Sequence, residues 1–262
     1  MPKVRYERSA SAAVLTIDRP ERRNAVDAET ATLLLEGYRR FEADDEARVL
    51  VLTGEGPEAF CAGADLKAIA AAAANPEAAS AAPMERTEGP MGFTRLTPTK
   101  PAIAAISGWC LAGGLELALW CDLRIATESA RLGYPERRWG VPLIDGGTQR
   151  LPRIVGLGRG LDMILTGRIL EAAEALDWGL VNAIVPEGGH LERALELAEG
   201  IAAFPQPTML SDRRAAHEGL GLPMTEALAL EAALGNASIV TGLEGATRFA
   251  AGEGRHGEGA GA

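Results

Sequence analysis

Two glutamates, each beside a glycine-rich turn, are the residues of this sequence best suited to chemistry. Glu116 ends the run Gly113–Glu116, and Glu136 ends the run Gly133–Glu136. Two carboxylates can relay protons to and from a water molecule. The backbone N–H groups of glycine-rich turns can hold an oxyanion. The two segments together indicate proton transfer next to an activated carbonyl.

The turns themselves offer main-chain donors. A helix is predicted to begin near Gly113 or Gly114, and N–H groups at a helix start lack intrahelical partners and lie at the positive end of the macrodipole. A carbonyl oxygen at the Gly113 N–H would be polarised, and the similar turn Phe60–Asp65 offers the Ala62 N–H as a second donor. Taken alone, each segment also fits a structural role, in which Glu116 complements the helix dipole and the small residues allow close packing.

The charge balance argues against nucleic-acid binding. The 262 residues carry 26 Lys and Arg against 36 Asp and Glu, a formal net charge of −10, whereas a phosphate backbone is bound by clustered positive charge. A small anionic ligand needs only a local cluster, and Arg19, Arg22 and Arg23 form one. The length fits one large domain, or a domain with an appendage, and allows a sizeable core.

Metal, disulfide and Ser-His-Asp chemistry have little support. The three cysteines form no C-x-x-C motif, and the three histidines show no ligand or triad spacing. The first eight residues are charged and lack an apolar signal core, and no segment is long and apolar enough to span a bilayer. We therefore expect a soluble, cytoplasmic protein with no metal and no membrane partner.

Short apolar, β-branched runs alternate with helical patterns along the chain, which is typical of an α/β architecture. The predicted strands are Ala13–Ile17, Val49–Thr53, Ala102–Ile106 and Asp122–Ala126. The predicted helices are Ala28–Glu42, Asp65–Ser80, Leu191–Ala203 and Thr225–Leu234. The Pro- and Gly-containing stretch Ala81–Pro98 is predicted to be a mobile connection, and Arg131–Leu151 an ordered, bent one with little regular structure.

The order of these motifs resembles that of the crotonase superfamily, also called the enoyl-CoA hydratase/isomerase family. Each motif alone is weak, and the signal lies in their occurrence in family order over roughly residues 3–250. The matching stretches are Arg19-Pro20, Asn24-Ala25-Val26, Ala59–Leu66, Lys100-Pro101, Gly108, Gly113–Ala118, Cys121-Asp122, Pro135-Glu136, Gly140-Val141-Pro142 and Gly146–Leu151.

The resemblance implies a spiral of ββα turns followed by helices used for trimerisation. On this basis residues 1–195 form the spiral core with the CoA and active sites, residues 196–250 the helical region, and residues 251–262 a disordered tail. The resemblance also implies a homotrimer, or a hexamer built as a dimer of trimers. The substrate would be an acyl-CoA thioester, with coenzyme A as part of the substrate and no separate cofactor.

The resemblance also assigns roles in the site. By position, Ala62 and Gly113 are the two oxyanion-hole donors that stabilise an enolate. Hydratases of the family have glutamates at the positions of Glu116 and Glu136. One would take a proton from water as hydroxide adds to the β-carbon, and the other would pass a proton to the α-carbon. The residues implied to bind CoA are Arg22, Asn24, Ala25, Val26, Ala62, Ala64, Asp65 and Leu66.

Some residues depart from the hydratase pattern. Asp145 lies where many hydratases carry small residues, and this extra carboxylate serves either isomerase or dehalogenation-like chemistry or only a chain turn. Trp139 is expected to narrow the acyl pocket, and Trp109 is a further candidate for its lining. The predicted function is a 2-enoyl-CoA hydratase. The alternatives are an acyl-CoA double-bond isomerase or specialised hydro-lyase of the same fold, and a non-catalytic acyl-CoA binding protein.

Overall fold

The computed structural model describes residues 2–74 and 86–253 and has a mixed α/β fold. Packing divides the chain into two compact units, Met1–Glu199 and Gly200–Ala262. The predicted boundary between the core, residues 1–195, and the helical region, residues 196–250, falls within the helix His190–Ala203. Of the predicted disordered tail, residues 254–262 lie outside the described residues.

Short strands and helices alternate through the first unit, and helices alone form the second. The strands are β1 (Val4–Ser9), β2 (Ala12–Ile17), β3 (Val49–Gly54), β4 (Ala59–Cys61), β5 (Ala102–Ile106), β6 (Trp109–Leu111), β7 (Leu123–Thr127), β8 (Arg131–Gly133), β9 (Ile169–Glu171) and β10 (Ala183–Val185). The α-helices are α1 (Ala28–Ala43), α2 (Leu66–Ala74), α3 (Gly113–Trp120), α4 (Gly147–Val155), α5 (Leu157–Thr166), α6 (Ala172–Asp177), α7 (His190–Ala203), α8 (Gln206–Gly219), α9 (Met224–Ala237) and α10 (Ile239–Ala250). Short 3-10 helices cover Pro20–Arg22 and Pro135–Trp139.

Successive strands are shared between two sheets. The larger sheet has the order β1-β2-β3-β5-β7-β10, and the smaller has the order β4-β6-β8-β9. The neighbours are parallel except β1–β2 and β8–β9. From β3 to β8, consecutive strands alternate between the larger and the smaller sheet. Helices α2 and α3 follow β4 and β6. This arrangement is the predicted spiral of ββα turns. Because β4 and β6 are parallel neighbours, the turns that follow them lie at the same edge of the sheet.

The central strands form the core of the first unit. Every residue of β2, β3 and β5 is buried, as expected for parallel strands that are covered on both faces. Asp27 is the N-cap residue of helix α1. Its side chain accepts the N–H of Thr30 at 2.8 Å. The helix packs on β1 and β2 and buries Leu34, Tyr38 and Phe41 on one face. Each such side chain stabilises the fold by about 1.5–3 kcal/mol.

The predicted mobile connection is in part firmly packed. Its residues 81–85 lie outside the described residues, but Met91 and Phe93 are almost completely buried. The ring of Phe93 lies 5.3 Å from that of Tyr38 and 4.6 Å from that of Trp120, measured between centroids. The burial of Met91 and Phe93 argues against mobility of this part of the connection, because these apolar side chains join the core.

The longer predicted elements are confirmed. The four strands appear as β2, β3, β5 and β7, and the four helices as α1, α2, α7 and α9. Residues 75–80 of the predicted helix Asp65–Ser80 lie outside the described residues. The connection Arg131–Leu151 contains more regular structure than predicted, namely β8, a 3-10 helix and the start of α4. Strands of three residues are too short to show an alternating pattern.

The second unit, described by itself, consists of contacting helices that bury little. Helices α8, α9 and α10 pack on one another, yet none of them contains a buried residue. Its exposed large apolar side chains are Phe204, Leu220, Leu222, Met224, Leu228, Ile239, Val240, Leu243 and Phe249. Among the described helices, none combines the length and the hydropathy required to cross a membrane.

Candidate active site

Glu116 is held in place by main-chain amides of the turn before α4. It lies in the first turn of α3, and only 2% of its surface is exposed. Its Oε1 accepts the N–H of Asp145 at 2.9 Å and the N–H of Gly147 at 2.7 Å. Hydrogen bonds to a carboxylate are strong and directional. The side chain is therefore fixed in the interior, which goes beyond complementing the helix dipole.

Burial brings Glu116 into the range of neutral proton transfer. The loss of solvent raises the pKa of Glu116 to about 7, and the charges of Asp145 and Glu136 act in the same direction. The N–H groups of Gly147 and Asp145 stabilise the ionised form and limit the rise. Glu116 can therefore both release and accept a proton close to pH 7.

Glu136 is a second buried carboxylate, although a glutamate after proline is commonly a surface residue. It lies on the 3-10 helix Pro135–Trp139 and is 5% exposed. Burial raises its pKa to about 7, while the charge of Arg137 acts in the opposite direction. Neither carboxylate oxygen has a hydrogen-bond partner among the described residues. Buried polar atoms are nearly always paired, so these oxygens are suited to a water molecule or a ligand.

Gly147 and Tyr134 lie against Glu116. A Cβ atom on Gly147 would lie 2.6 Å from the Tyr134 hydroxyl and 3.0 Å from Oε1 of Glu116. The hydroxyl and the carboxylate thus flank one glycine, and only a residue without a side chain fits between them. Neither the sequence motifs nor their spacing indicated Tyr134.

Asp145 ties the site to the segment that follows residue 86. It is 3% exposed, and its Oδ1 accepts the N–H of Met91 at 3.0 Å and the hydroxyl of Thr94. Burial raises its pKa, and these two hydrogen bonds oppose the rise. Arg150 adds to the connection, because it donates to the carbonyl oxygens of Asp145 at 2.9 Å and Thr94 at 2.6 Å. Of the expected roles, this geometry favours a structural one.

The start of α3 provides an open amide. Ala112, directly before the helix, has φ 51° and ψ −125°, and Gly113 is the first helical residue, whose N–H has no place in the helix ladder. The Sδ atom of Met91 lies 2.7 Å from where a Cβ on Gly113 would be. A Cβ on Gly114 would overlap the carbonyl oxygen of Cys61, so the absence of a side chain allows α3 to pack directly on β4.

The turn after β4 uses the Ala62 amide internally. The Ala62 N–H donates to the carbonyl of Arg23 at 3.0 Å. The assignment of Ala62 as an oxyanion donor is corrected, because its hydrogen already has an acceptor. In the adjoining bridge between Val26 and Ala64, the donors are the N–H groups of Val26 and Asp65. None of these hydrogen bonds uses the N–H of Ala64.

Asn24, predicted to bind CoA, has a structural side chain. It is completely buried. Its Oδ1 accepts the N–H of Arg19 at 2.9 Å, and its Nδ2 donates to the carbonyls of Glu55 at 3.0 Å and Ala59 at 2.6 Å. Because both amide hydrogens are in use, the side chain of Asn24 supplies no donor to CoA.

Asp65 likewise serves the local fold. Its Oδ1 accepts the N–H of Ala68 at 3.1 Å at the start of α2, and its Oδ2 pairs with the buried Arg19 at 3.1 Å. The three arginines predicted to form an anion-binding cluster do not act together. Arg19 is buried, and Arg23 forms an ion pair with Glu58 at 2.8 Å. Among the other residues expected to bind CoA, Arg22 and Leu66 are exposed, Ala64 is partly exposed, and Ala25 and Val26 are buried.

The two tryptophans expected near the acyl pocket lie in different settings. Trp139 is 66% exposed, and Trp109 in β6 lies beneath the guanidinium of Arg131, 5.4 Å from the ring centroid. Their role in an acyl pocket stays a prediction. The site instead includes Met91, which sequence reasoning did not single out because it lies in a stretch without regular periodicity.

Fold and site together define a class of protein. An α/β spiral brings two buried carboxylates with pKa values near 7 close to the open end of a helix, an arrangement for moving protons beside a polarised carbonyl. Within residues 2–74 and 86–253, no three His, Cys, Asp or Glu side chains are grouped as metal ligands.

Comparison with known proteins gives the family. The family model for enoyl-CoA hydratase/isomerase matches residues 7–252. An enoyl-CoA hydratase of Mycobacterium tuberculosis, EchA19, is 35% identical over 89% of this chain and 87% of its own. A carnitinyl-CoA dehydratase of Salmonella typhi is 41% identical over 71% and 69%. The crystal structure of the enoyl-CoA hydratase EchA1 from Mycobacterium marinum superposes with a TM-score of 0.86 at 34% identity, over 95% and 96% of the two chains.

This chain belongs to the enoyl-CoA hydratase/isomerase family of the crotonase superfamily. The resemblance seen in the sequence motifs and the predicted crotonase-like α/β fold are both confirmed.

Proposed function

We propose that this chain is an enoyl-CoA hydratase, which catalyses the reversible syn addition of water to the C2=C3 bond of a 2-enoyl-CoA thioester. One observation carries the proposal: Glu116 and Glu136 are both buried, and each has a pKa of about 7. Near neutral pH such a pair can hold one proton to give and one site to accept. A protein that only bound acyl-CoA would gain nothing from two carboxylates kept out of water.

The proposed oxyanion hole consists of two main-chain amides. Gly113 supplies one N–H at the start of α3. Ala64 supplies the second in place of Ala62, because the Ala62 N–H is bound to Arg23. Gly63 lies between the two, and a Cβ on it would be 3.0 Å from the nitrogen of Gly113. One donor of this kind typically stabilises the transition state by about 3–4 kcal/mol.

The proposed proton transfers conserve every atom of the added water. The water oxygen bonds to C3 as one glutamate removes a proton, and the electrons of the double bond move toward the thioester oxygen. The resulting enolate takes a proton at C2 from the other glutamate, and the proton taken from water then passes from the first glutamate to the second, which restores the starting state. We assign the two roles to Glu116 and Glu136 jointly, since both have pKa values of about 7.

The remaining expectations extend this proposal. Arg22 is exposed beside the turn that holds Ala64 and Leu66, and we propose that it lies near the phosphates of CoA. We also propose a homotrimer or a dimer of trimers, supported by the exposed apolar side chains of α8, α9 and α10. No cofactor besides the CoA of the substrate enters the proposal.

The direct test is loss of the conjugated enoyl-thioester absorbance after mixing the purified protein with crotonyl-CoA. We expect absorbance to fall, and a 3-hydroxyacyl-CoA to form. Medium-chain and aromatic enoyl-CoA substrates extend the test, since the acyl group is not fixed by the residues described. Absence of turnover with all three substrate types would contradict the proposal, and formation of a 3-enoyl-CoA instead would favour the isomerase.

A further inference from the structure

Tyr134 carries a polar group that the fold itself does not use. The residue is fully buried, and its hydroxyl has no hydrogen-bond partner among the described residues. A buried hydroxyl without a partner destabilises the folded protein, whereas phenylalanine would fill nearly the same volume without this cost. The hydroxyl therefore calls for a partner beyond the described residues, such as a water molecule.

The hydroxyl lies close to Glu116 and within electrostatic range of Glu136. Tyr134 Oη and Glu116 Oε1 lie 2.6 Å and 3.0 Å from one point, the position of a Cβ on Gly147. Glu136, two residues along the chain, adds two further buried oxygens without a partner. Three buried polar atoms without a partner among the described residues, one hydroxyl and two carboxylate oxygens, therefore belong to residues 134 and 136. The carboxylate of Glu116 is held by two amides.

The groups around Tyr134 keep its proton in place. Burial raises the pKa of Tyr134 well above its ordinary value, and the charges of Glu116 and Glu136 act in the same direction. Arg150 opposes them, but both of its terminal nitrogens donate to carbonyl oxygens. The hydroxyl therefore stays protonated and can donate throughout the range in which the glutamates titrate.

We propose that Tyr134 is a positioning residue whose hydroxyl donates a hydrogen bond to the water molecule shared by Glu116 and Glu136. A water molecule has two protons and two lone pairs. If its protons point to the two carboxylates and Tyr134 occupies one lone pair, a single lone pair remains for the β-carbon of the substrate. Such fixed orientation of a reactant accelerates a reaction. This inference rests on the proposed hydratase function.

The test compares Tyr134→Phe with Tyr6→Phe. The Tyr6 hydroxyl is also buried without a partner among the described residues, but Tyr6 lies on β1 beneath the guanidinium of Arg40. Both substitutions remove a hydroxyl that forms no hydrogen bond to a described residue, so neither should lower the melting temperature appreciably. Only Tyr134→Phe should lower kcat, by about ten- to a hundredfold, with little change in the KM for the enoyl-CoA.

The pH dependence separates positioning from simple packing. Without the donor, the water stabilises the ionised glutamates less well, so the acid limb of the kcat profile should move to higher pH. The same upward movement should appear when the glutamate carboxyl groups are titrated by NMR in the substrate-free protein. An unchanged kcat in an active protein, or unchanged carboxyl titrations, would overturn the role of Tyr134. An inactive wild-type protein with shifted titrations would count against the hydratase function alone.

Discussion

The N–H of Gly147 lies 2.7 Å from Oε1 of Glu116 and fixes this carboxylate from the first residue of α4. The same glycine leaves the space in which the hydroxyl of Tyr134 approaches the carboxylate. One residue thus supplies a donor and, by lacking a side chain, room for its neighbours. The geometry of Glu116 therefore depends on the turn before α4 as much as on α3.

Gly147→Ala should remove most of the activity. The new Cβ would lie 2.6 Å from Tyr134 Oη and 3.0 Å from Glu116 Oε1, so the tyrosine hydroxyl must move and the carboxylate must give way with it. Because a misplacement of about 1 Å costs about a hundredfold in kcat, we expect a loss of up to that size. Gly158→Ala is the matched control, since it also lies near a helix start and a Cβ there meets nothing within 4 Å. Equal kcat values for the two variants would show that Glu116 is not held as described.

Glu136→Gln should lower turnover by about two to four decades, the range for removing a general acid–base group. The amide is nearly isosteric, so binding of CoA should be largely retained. Steady-state kinetics and calorimetric titration with CoA measure the two effects separately. Glu46→Gln changes an exposed carboxylate, with 83% of the side chain accessible, and should have no effect. Wild-type turnover in Glu136→Gln would remove Glu136 from the mechanism.

The raised pKa of Glu136 also predicts how stability depends on pH. Folding raises this pKa from 4.5 to about 7, so the folded state binds the proton more tightly and stability falls as pH rises between these values. Glutamine does not ionise. Glu136→Gln should therefore be more stable than the wild type at pH 8, by up to about 3 kcal/mol, and the difference should be much smaller at pH 5.

Urea unfolding at the two pH values measures this difference. Because the charge of Glu136 also raises the pKa of Glu116, the change in their stability difference reports on Glu136 together with its coupling to Glu116. A stability difference that did not grow from pH 5 to pH 8 would show that the Glu136 carboxylate is well solvated.

Asp145 can be tested by two substitutions with opposite expectations. Both of its hydrogen bonds end on Oδ1, and the Oδ1 of asparagine can accept the same two. Asp145→Asn should therefore keep most of the activity. Because the charge of Asp145 helps to raise the pKa of Glu116, the acid limb of the kcat profile should move to lower pH.

Asp145→Ala, in contrast, leaves the N–H of Met91 and the hydroxyl of Thr94 without their acceptor. This loss should destabilise the protein by about 1–3 kcal/mol, measured by urea unfolding. If Asp145 were instead the acid–base group of an isomerase, Asp145→Asn and Asp145→Ala would both abolish turnover.

Sequence patterns were sufficient where a segment is long and its environment uniform. The strand Val49–Thr53 is recognisable because a parallel strand covered on both faces is apolar throughout. Helix Ala28–Glu42 shows its buried stripe by its 3.6-residue period. The two glutamates were recognisable from their glycine-rich turns together with the resemblance, and the structure adds that both are buried.

Roles that depend on contacts between distant segments could not be predicted in this way. Ala62 looked like an oxyanion donor because it follows a strand, and only its contact with Arg23 shows that its N–H is occupied. Asn24 lies in a matching motif, but it has a conformation and hydrogen bonds that serve the turn itself. Tyr134 has no signal in a single sequence, since its significance comes from a hydroxyl that lacks a partner.

The close approach of Gly114 to the carbonyl of Cys61 has a consequence for the order of events in turnover. It locks the start of α3 against β4, so the main-chain dipoles near Gly113 already have their orientation before an acyl-CoA arrives. In the proposed reaction, the reorganisation energy that water would need to solvate a developing enolate is thereby avoided. Polarisation of the thioester is therefore separable from proton transfer. We expect a variant that lacks both glutamate carboxylates still to perturb the spectrum of a bound enoyl-CoA, because the main-chain amides remain in place.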